Sequence, residues 1–113
     1  MKGIGVDIVE FKRIKEIKHP AKFVDKILSE KEKEVYVTFA NEKRQLEYLA
    51  GRFAIKEAIY KALPVIDERW RFMDFSILND ASGAPYLHEP LLPEVMLTLS
   101  HSENYVVAVA VCL

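Results

Sequence analysis

The sequence LAGRFAIKEAIYKAL, residues 49–63, decides much of the fold. It is the end of the longest predicted helix, which begins after the cap residue Asn41 and stops before Pro64. Glu57 lies near the middle of the apolar stripe of this helix, and Lys61 lies on its flank. At about 100° per residue, that stripe is formed by Leu46, Leu49, Ala50, Phe53 and Tyr60. A carboxylate is therefore predicted on a face that otherwise packs against the core.

Strands are predicted on both sides of the long helix. Residues 3–11 form a strand that is apolar on both faces, so we expect it inside a sheet, and a short helix at 21–28 is followed by a helix that Ser29 caps. A strand at 70–78 precedes turn residues 79–83, and two C-terminal strands at 95–100 and 105–113 form a hairpin. Irregular connections are marked by Pro85, Pro90 and Pro93.

This order predicts the α+β class: a single domain over residues 1–113, with an antiparallel sheet packed against helices that include one long helix. In the last strand, residues 106, 108, 110 and 112 form the face with smaller side chains, which suits close approach of a helix or a neighbouring subunit.

The composition excludes several classes of protein. Half of the 113 residues are hydrophobic and 29% are charged, which argues against disorder. The single cysteine excludes an internal disulfide and a four-cysteine zinc site. The sequence shows neither a signal peptide nor an apolar run of membrane-spanning length, so we expect a cytoplasmic protein without a membrane partner. A chain this small seldom encloses a large ligand alone.

Charge is divided unevenly along the chain. All 16 basic residues and 12 of the acidic ones lie in residues 1–71, which gives +4, whereas residues 72–113 carry −5. Residues 11–28 alone carry +4. This segment is either a solvated helix face or a docking surface for an anionic partner. An acidic protein or a phosphorylated small molecule fits it better than nucleic acid, because basic and aromatic residues do not interleave.

Asp7 is a second carboxylate among apolar residues. Alone, Asp7 fits a frayed strand edge and Glu57 fits a helical ion pair with Lys61. Together, the two carboxylates are hard oxygen ligands suited to Mg²⁺, which also binds substrate phosphates. Lys61 would then face the same phosphates as a charge or as a proton acceptor. Ser100 and His101 end a strand, and neither a hydrolase elbow, a Walker loop nor a dinucleotide fingerprint accompanies them.

Four segments resemble one family in sequence order. Residues 3–10, GIGVDIVE, and residues 49–63 are similar to the two signatures of the holo-acyl-carrier-protein synthases. Gly83-Ala84-Pro85 and Leu99-Ser100-His101-Ser102 resemble two later, weaker motifs of that family. The resemblance spans nearly the whole chain. It implies the 4′-phosphopantetheinyl transferase fold and an enzyme that moves 4′-phosphopantetheine from coenzyme A to a serine of apo-acyl carrier protein, releasing 3′,5′-ADP, for fatty acid biosynthesis.

The same resemblance implies roles for individual residues. Asp7 and Glu57 would bind Mg²⁺ and form the catalytic set with Lys61. Coenzyme A, as donor substrate, would be held by Arg44, Arg52, Lys61, Ser100 and His101. The acidic carrier protein would dock on Lys12, Arg13 and Lys22. The family's small members form homotrimers with active sites between subunits.

The chain departs from the family at one place. Relatives follow the second lysine of the signature with a glycine-rich stretch, but here residues 64–70 are PVIDERW. Without glycines, backbone N–H groups are less free to cradle an anion. A non-catalytic module that binds coenzyme A or a carrier protein is therefore one alternative, and a Mg²⁺-dependent phosphohydrolase is another. Either a carboxylate-bound water or Lys61 fits the general base.

Overall fold

The computed structural model describes residues 1–92 and 94–113, so the connection predicted at Pro93 lies outside the described residues. A short 3₁₀ helix spans Phe72–Asp74. The other elements, in chain order, are β1 (Gly3–Glu10), α1 (Phe11–Lys15), α2 (Pro20–Ile27), α3 (Glu30–Tyr36), α4 (Glu42–Ala62), β2 (Ser76–Asn79), β3 (Pro85–Glu89), β4 (Val95–His101) and β5 (Tyr105–Cys112).

Two antiparallel sheets accompany the helices. The larger has the strand order β1-β5-β4, and the smaller pairs β2 with β3. Ala108 of β5 pairs with Asp7 of β1 on one side and with Leu99 of β4 on the other. The α+β prediction is confirmed, but the predicted interior position of β1 is wrong, because β5 is the central strand. Both faces of β1 are apolar since one packs on α4 and the other belongs to an exposed apolar sheet face.

Close packing of α4 on the sheet depends on small residues. A Cβ atom on Gly3 would lie 1.9 Å from the carbonyl oxygen of Ala62, and one on Gly5 would lie 2.0 Å from that of Ala58. Only glycine allows the strand to approach the helix backbone this closely. The small face of β5 is also buried beneath α4, as predicted: Val106, Ala108, Ala110 and Cys112.

The opposite face of the larger sheet is apolar and exposed. Ile4, Val6 and Ile8 of β1 and Met96 of β4 are between 55% and 60% exposed. Half-buried valines of β5 lie between these two rows of side chains: Val107, Val109 and Val111.

The middle of the chain differs from the sequence prediction. The predicted strand at 70–78 is a 3₁₀ turn followed by the short strand β2, because aromatic rings fold this segment onto α4. Tyr60 packs edge-on against Phe72 with ring centroids 4.8 Å apart, and Trp70 packs against Phe75 at 5.5 Å. Pro85 begins strand β3 rather than an irregular connection, since it pairs at the end of the ladder where no further N–H bond is needed.

The predicted turn at residues 79–83 and the predicted helix caps are confirmed. Gly83 has a φ of 89°, and the Asp80 carboxylate accepts hydrogen bonds from the N–H groups of Ser82 and Ala84. The Ser29 hydroxyl accepts from the Glu32 N–H at the start of α3. The hairpin turn is one residue shorter than predicted, because His101 belongs to β4.

The buried face of α4 is broader than the predicted stripe and is rotated from it. Leu46, Phe53, Glu57 and Tyr60 are only half-buried, so Glu57 lies at the border of the core rather than in its middle. The fully buried apolar positions are Ala50, Ala54, Ile55, Ala58 and Ile59. The difference arises because α4 packs against the sheet and also against α1, α2 and α3.

Candidate functional site

Asp7 and Lys61 are brought together by the packing of β1 on α4. The Lys61 ammonium donates a hydrogen bond of 3.0 Å to the carbonyl oxygen of Val6 and lies 3.4 Å from Oδ1 of Asp7. The Asp7 side chain is 19% exposed and that of Lys61 is 54% exposed, so the pair lies at a partly open edge. Lys61 is thus paired with Asp7 across elements rather than with Glu57 along the helix.

Glu57 faces the same edge of the molecule. Strand β1 and helix α4 run in opposite directions, since Gly3 contacts Ala62 and Gly5 contacts Ala58. Two strand residues advance by about 6.6 Å and four helix residues by about 6 Å. Asp7 lies two residues beyond Gly5 along the strand, which corresponds to one turn earlier in the helix. It therefore lies beside the helical turn that carries Glu57. Among the described residues, no hydrogen bond or ion pair is found for the carboxylate of Glu57, whereas Lys61 pairs with Asp7.

The two carboxylates fit a magnesium ion by their chemistry. Mg²⁺ prefers oxygen ligands and is commonly bound through one or two carboxylates, with waters and substrate phosphates completing its coordination. Within residues 1–92 and 94–113, no group of three or more His, Cys, Asp or Glu side chains could hold a metal ion. A closed structural site of the zinc type is therefore not built from these residues, whereas an open Mg²⁺ site needs only Asp7 and Glu57.

Three of the predicted donor-binding residues line one cavity of about 210 Å³: Arg44, Arg52 and His101. The turn residue Gly83 and Pro85, the first residue of β3, line it as well. The Arg44 guanidinium lies 4.8 Å above the Phe39 ring and 3.4 Å from a carboxylate oxygen of Glu47. Glu47 lines the cavity too, but two guanidinium groups outnumber its single carboxylate and an imidazole adds a further donor, which makes the cavity suitable for a phosphate-bearing ligand.

Ser100 does not join this cavity. Its neighbours Leu99 and His101 line the cavity, and alternation along β4 places Ser100 on the exposed apolar face of the sheet. Asp7 and the cavity are also separate, because Asp7 and Leu99 pair with opposite sides of Ala108. Two strand spacings amount to about 10 Å. One chain therefore carries the carboxylates at one edge of its sheet and the cationic cavity at the other.

Arg52 and Lys56 are buried in the protein rather than exposed on its surface. Lys56 is fully buried, and its ammonium donates to Oε1 of Glu32 and, at 2.6 Å, to the carbonyl oxygen of Ile27. Burial lowers the pKa of Lys56 to about 8, against the opposing effect of the Glu32 carboxylate. Arg52 is 4% exposed and stacks 4.4 Å above the Tyr48 ring.

Glu32 is the residue that sequence reasoning missed. It caps α3 with Ser29, and its carboxylate also accepts from the N–H of Ile77 at 2.9 Å, so one side chain joins α3, α4 and β2. The available signal was the spacing of Arg52 and Lys56, which places two cations on one helix face beside buried alanines. Such a face requires a buried anion from elsewhere in the chain.

The basic residues predicted to dock a carrier protein are exposed. Lys12 and Arg13 lie on α1, and Lys22 lies on α2. The Arg13 guanidinium is 5.9 Å from the centroid of the Phe53 ring on α4. These positions place positive charge on the α1–α2 side of the molecule.

Comparison with known proteins decides the family. The model of the 4′-phosphopantetheinyl transferase superfamily matches residues 3–110. The chain belongs to this superfamily. A holo-[acyl-carrier-protein] synthase from Acholeplasma laidlawii is 44% identical to the transferase over 96% of this chain and 93% of its own length. One from Halalkalibacterium halodurans is 43% identical over 94% of this chain and 90% of its own length.

Solved structures extend the comparison to the fold of the transferase. A holo-(acyl-carrier-protein) synthase from Bacillus anthracis in complex with CoA (3′,5′-ADP) has a TM-score of 0.84 and 39% identity, covering 96% of this chain and 93% of that chain. The Helicobacter pylori enzyme in complex with coenzyme A has a TM-score of 0.78 and 30% identity, covering 97% of this chain and 99% of that chain. The predicted fold, family and enzyme class are confirmed, which leaves the non-catalytic and phosphohydrolase alternatives without support.

A membrane-spanning helix is not found among the described residues of the transferase, because none of its helices is sufficiently long and apolar.

Proposed function

We propose that this transferase moves the 4′-phosphopantetheine arm from coenzyme A to a serine of apo-acyl carrier protein for fatty acid biosynthesis, releasing 3′,5′-ADP in a Mg²⁺-dependent reaction. The contact of Lys61 with Asp7, beside the helical turn that carries Glu57, is the observation on which this proposal rests. The names of the relatives and the coenzyme A complexes of two of them support the choice of carrier and donor.

The chemistry follows from charge. The serine oxygen would attack the phosphorus that bears the pantetheine arm, and the phosphorus–oxygen bond to 3′,5′-ADP would break. Asp7 and Glu57 would hold Mg²⁺, whose charge when bound stabilises the negative oxygens of the pyrophosphate. Lys61 donates to Val6 and lies within 3.4 Å of Asp7, which leaves N–H capacity for a phosphate oxygen. This arrangement favours phosphate binding by Lys61, and a water beside the carboxylates as the acceptor of the serine proton.

The donor would bind between subunits of a homotrimer. Two observations support this arrangement: the carboxylates and the cationic cavity lie on opposite sides of β5, and the exposed apolar face of the larger sheet is suited to burial by a second copy. Ser100 lies on that face and would reach a donor held against a neighbouring copy. Residues 1–113 would form one transferase domain, which the match over residues 3–110 supports. A cytoplasmic location stays a prediction from the sequence.

The acidic carrier protein would dock on the α1–α2 side through Lys12, Arg13 and Lys22. These side chains are exposed, and they belong to a segment with a net charge of +4. Charge of this sign increases the rate of encounter with an acidic partner, and the increase weakens as salt is added.

Mass spectrometry of the carrier protein tests the proposal directly. Incubation with apo-acyl carrier protein, coenzyme A and Mg²⁺ should add one phosphopantetheine arm to each carrier, and 3′,5′-ADP should appear in equal amount. Glu57→Gln should abolish both products and the response to added Mg²⁺, whereas the exposed control Glu42→Gln should change neither. A carrier of unchanged mass, tested with a carrier that another synthase modifies, would refute the proposal.

A further inference from the structure

Three charged side chains are buried together between α3, α4 and β2. Glu32 and Lys56 are fully buried, and Arg52 is 4% exposed. Oε1 of Glu32 accepts a hydrogen bond from Lys56, whereas Oε2 lies 4.0 Å from Nε of Arg52. One carboxylate and two cations give this cluster a net charge of +1, and the direct pairing of Glu32 with Lys56 leaves the surplus on Arg52.

The guanidinium of Arg52 is fixed by β2. Its Nε donates to the carbonyl oxygen of Ile77 and its Nη2 to Oδ1 of Asn79, each at 3.1 Å. Glu32 holds the same strand by accepting from the Ile77 N–H. Among the described residues, these two hydrogen bonds use two of the five N–H donors of the guanidinium, and Arg52 lines the cavity that it shares with Arg44.

We propose that Lys56 is a positioning residue for anion binding: by occupying the Glu32 carboxylate, it keeps the charge and the free N–H groups of Arg52 available to an anionic group in the cavity. Without Lys56, Arg52 is the nearest cation to Glu32, already only 4.0 Å away. The carboxylate would then pair with Arg52, because a buried charge without a partner is costly. The anion site would lose its uncompensated charge although none of its own residues had changed. The assignment of that anion to a phosphate of the donor rests on the function proposed above.

Two substitutions and their combination test this inference. Lys56→Met and Glu32→Gln each remove one charge at nearly constant volume. We expect Lys56→Met to weaken the binding of 3′,5′-ADP by about tenfold or more, since a hydrogen bond to an uncompensated charge is lost. Glu32→Gln, and the double variant Glu32→Gln/Lys56→Met, should bind 3′,5′-ADP within threefold of the unsubstituted protein, because neither variant keeps a carboxylate at residue 32 that could pair with Arg52. Calorimetric titration at neutral pH and fixed ionic strength measures all four proteins.

Recovery in the double variant separates this role from a structural one. If Lys56 served only the stability of the fold or contacted the ligand itself, the double variant would bind no better than Lys56→Met, and that result would overturn the inference. Weakening of all variants alike, or absence of 3′,5′-ADP binding by the unsubstituted protein, would overturn it too. If circular dichroism shows Lys56→Met to be unfolded, the double variant alone decides, with binding more than threefold weaker counting against the inference. Transfer to the carrier is measured separately, so a protein with the expected binding pattern but no transfer refutes the proposed function alone.

Discussion

From the contact between β1 and α4 we predict how much the substitution Gly5→Ala lowers the free energy of unfolding. The added methyl carbon would lie 2.0 Å from the carbonyl oxygen of Ala58, whereas such atoms meet at roughly 3.3 Å. The strand and helix would have to separate by about 1 Å, and a gap of that size forfeits a quarter to a half of each dispersion contact across it. We expect a loss of about 3 kcal/mol or more in the free energy of unfolding, at the upper end of the overpacking range. The melting temperature should fall by roughly 10 °C.

Gly51→Ala is the matched control, because it makes the same chemical change within α4. Its added carbon would lie 3.4 Å from a methyl group of Leu99, which is an ordinary contact. Alanine is favoured over glycine inside a helix by about 1 kcal/mol, so this variant should be as stable as the unsubstituted protein or more so. Urea unfolding followed by circular dichroism measures both variants. A Gly5→Ala protein within 1 kcal/mol of the unsubstituted one would refute the close packing of strand on helix.

Three further predictions concern the surface. Val6→Lys should convert the proposed trimer to monomers in sedimentation velocity while preserving the circular dichroism spectrum, whereas Val37→Lys, exposed but off the sheet, should leave the trimer intact. Arg13→Glu should raise the KM for the carrier severalfold at low salt and leave the KM for coenzyme A unchanged; equal effects on both would contradict carrier docking. The Arg69 side chain holds the pKa of Asp67 at about 2, so Arg69→Ala should raise that pKa towards 3.8 in a carboxyl NMR titration. The rise should be partial, because the backbone N–H of residue 69 still donates to Asp67 in the variant. The stabilisation from Asp67 is present above about pH 3.8 and is lost as the pH falls towards 2; an unchanged pKa would contradict the pairing.

Sequence patterns predicted those parts of the fold that depend on local chemistry. The caps Ser29 and Asn41 and the turn ending at Gly83 are fixed by hydrogen bonds within a few residues, the stop at Pro64 follows from its missing N–H, and each is confirmed. The central position of β5 was not predicted, because strand order depends on long-range pairing. An exposed apolar face gave β1 the pattern of an interior strand.

The site was predictable where a residue type conflicted with its surroundings. Asp7 was singled out as a carboxylate within an apolar strand, and the structure brings it to Lys61. Glu32 offered no such conflict, because an acidic residue in the first turn of a helix is ordinary. Its burial becomes visible only when α3, α4 and β2 meet, at separations of 24 and 45 residues along the chain.

Lys56 and Glu57 show why a motif of adjacent residues is not a single functional unit. Successive residues on a helix point about 100° apart. Lys56 therefore faces α2 and α3, where it donates to the Ile27 carbonyl and Glu32 neutralises it, while Glu57 faces the edge at which Asp7 and Lys61 meet. The same turn of helix carries the lysine that we propose to control the charge of Arg52 and the glutamate that we propose as a metal ligand. An exchange of these two neighbours would keep the composition and charge of the helix, yet it would leave Glu32 facing a second buried carboxylate and deprive the edge of one of its two oxygen donors.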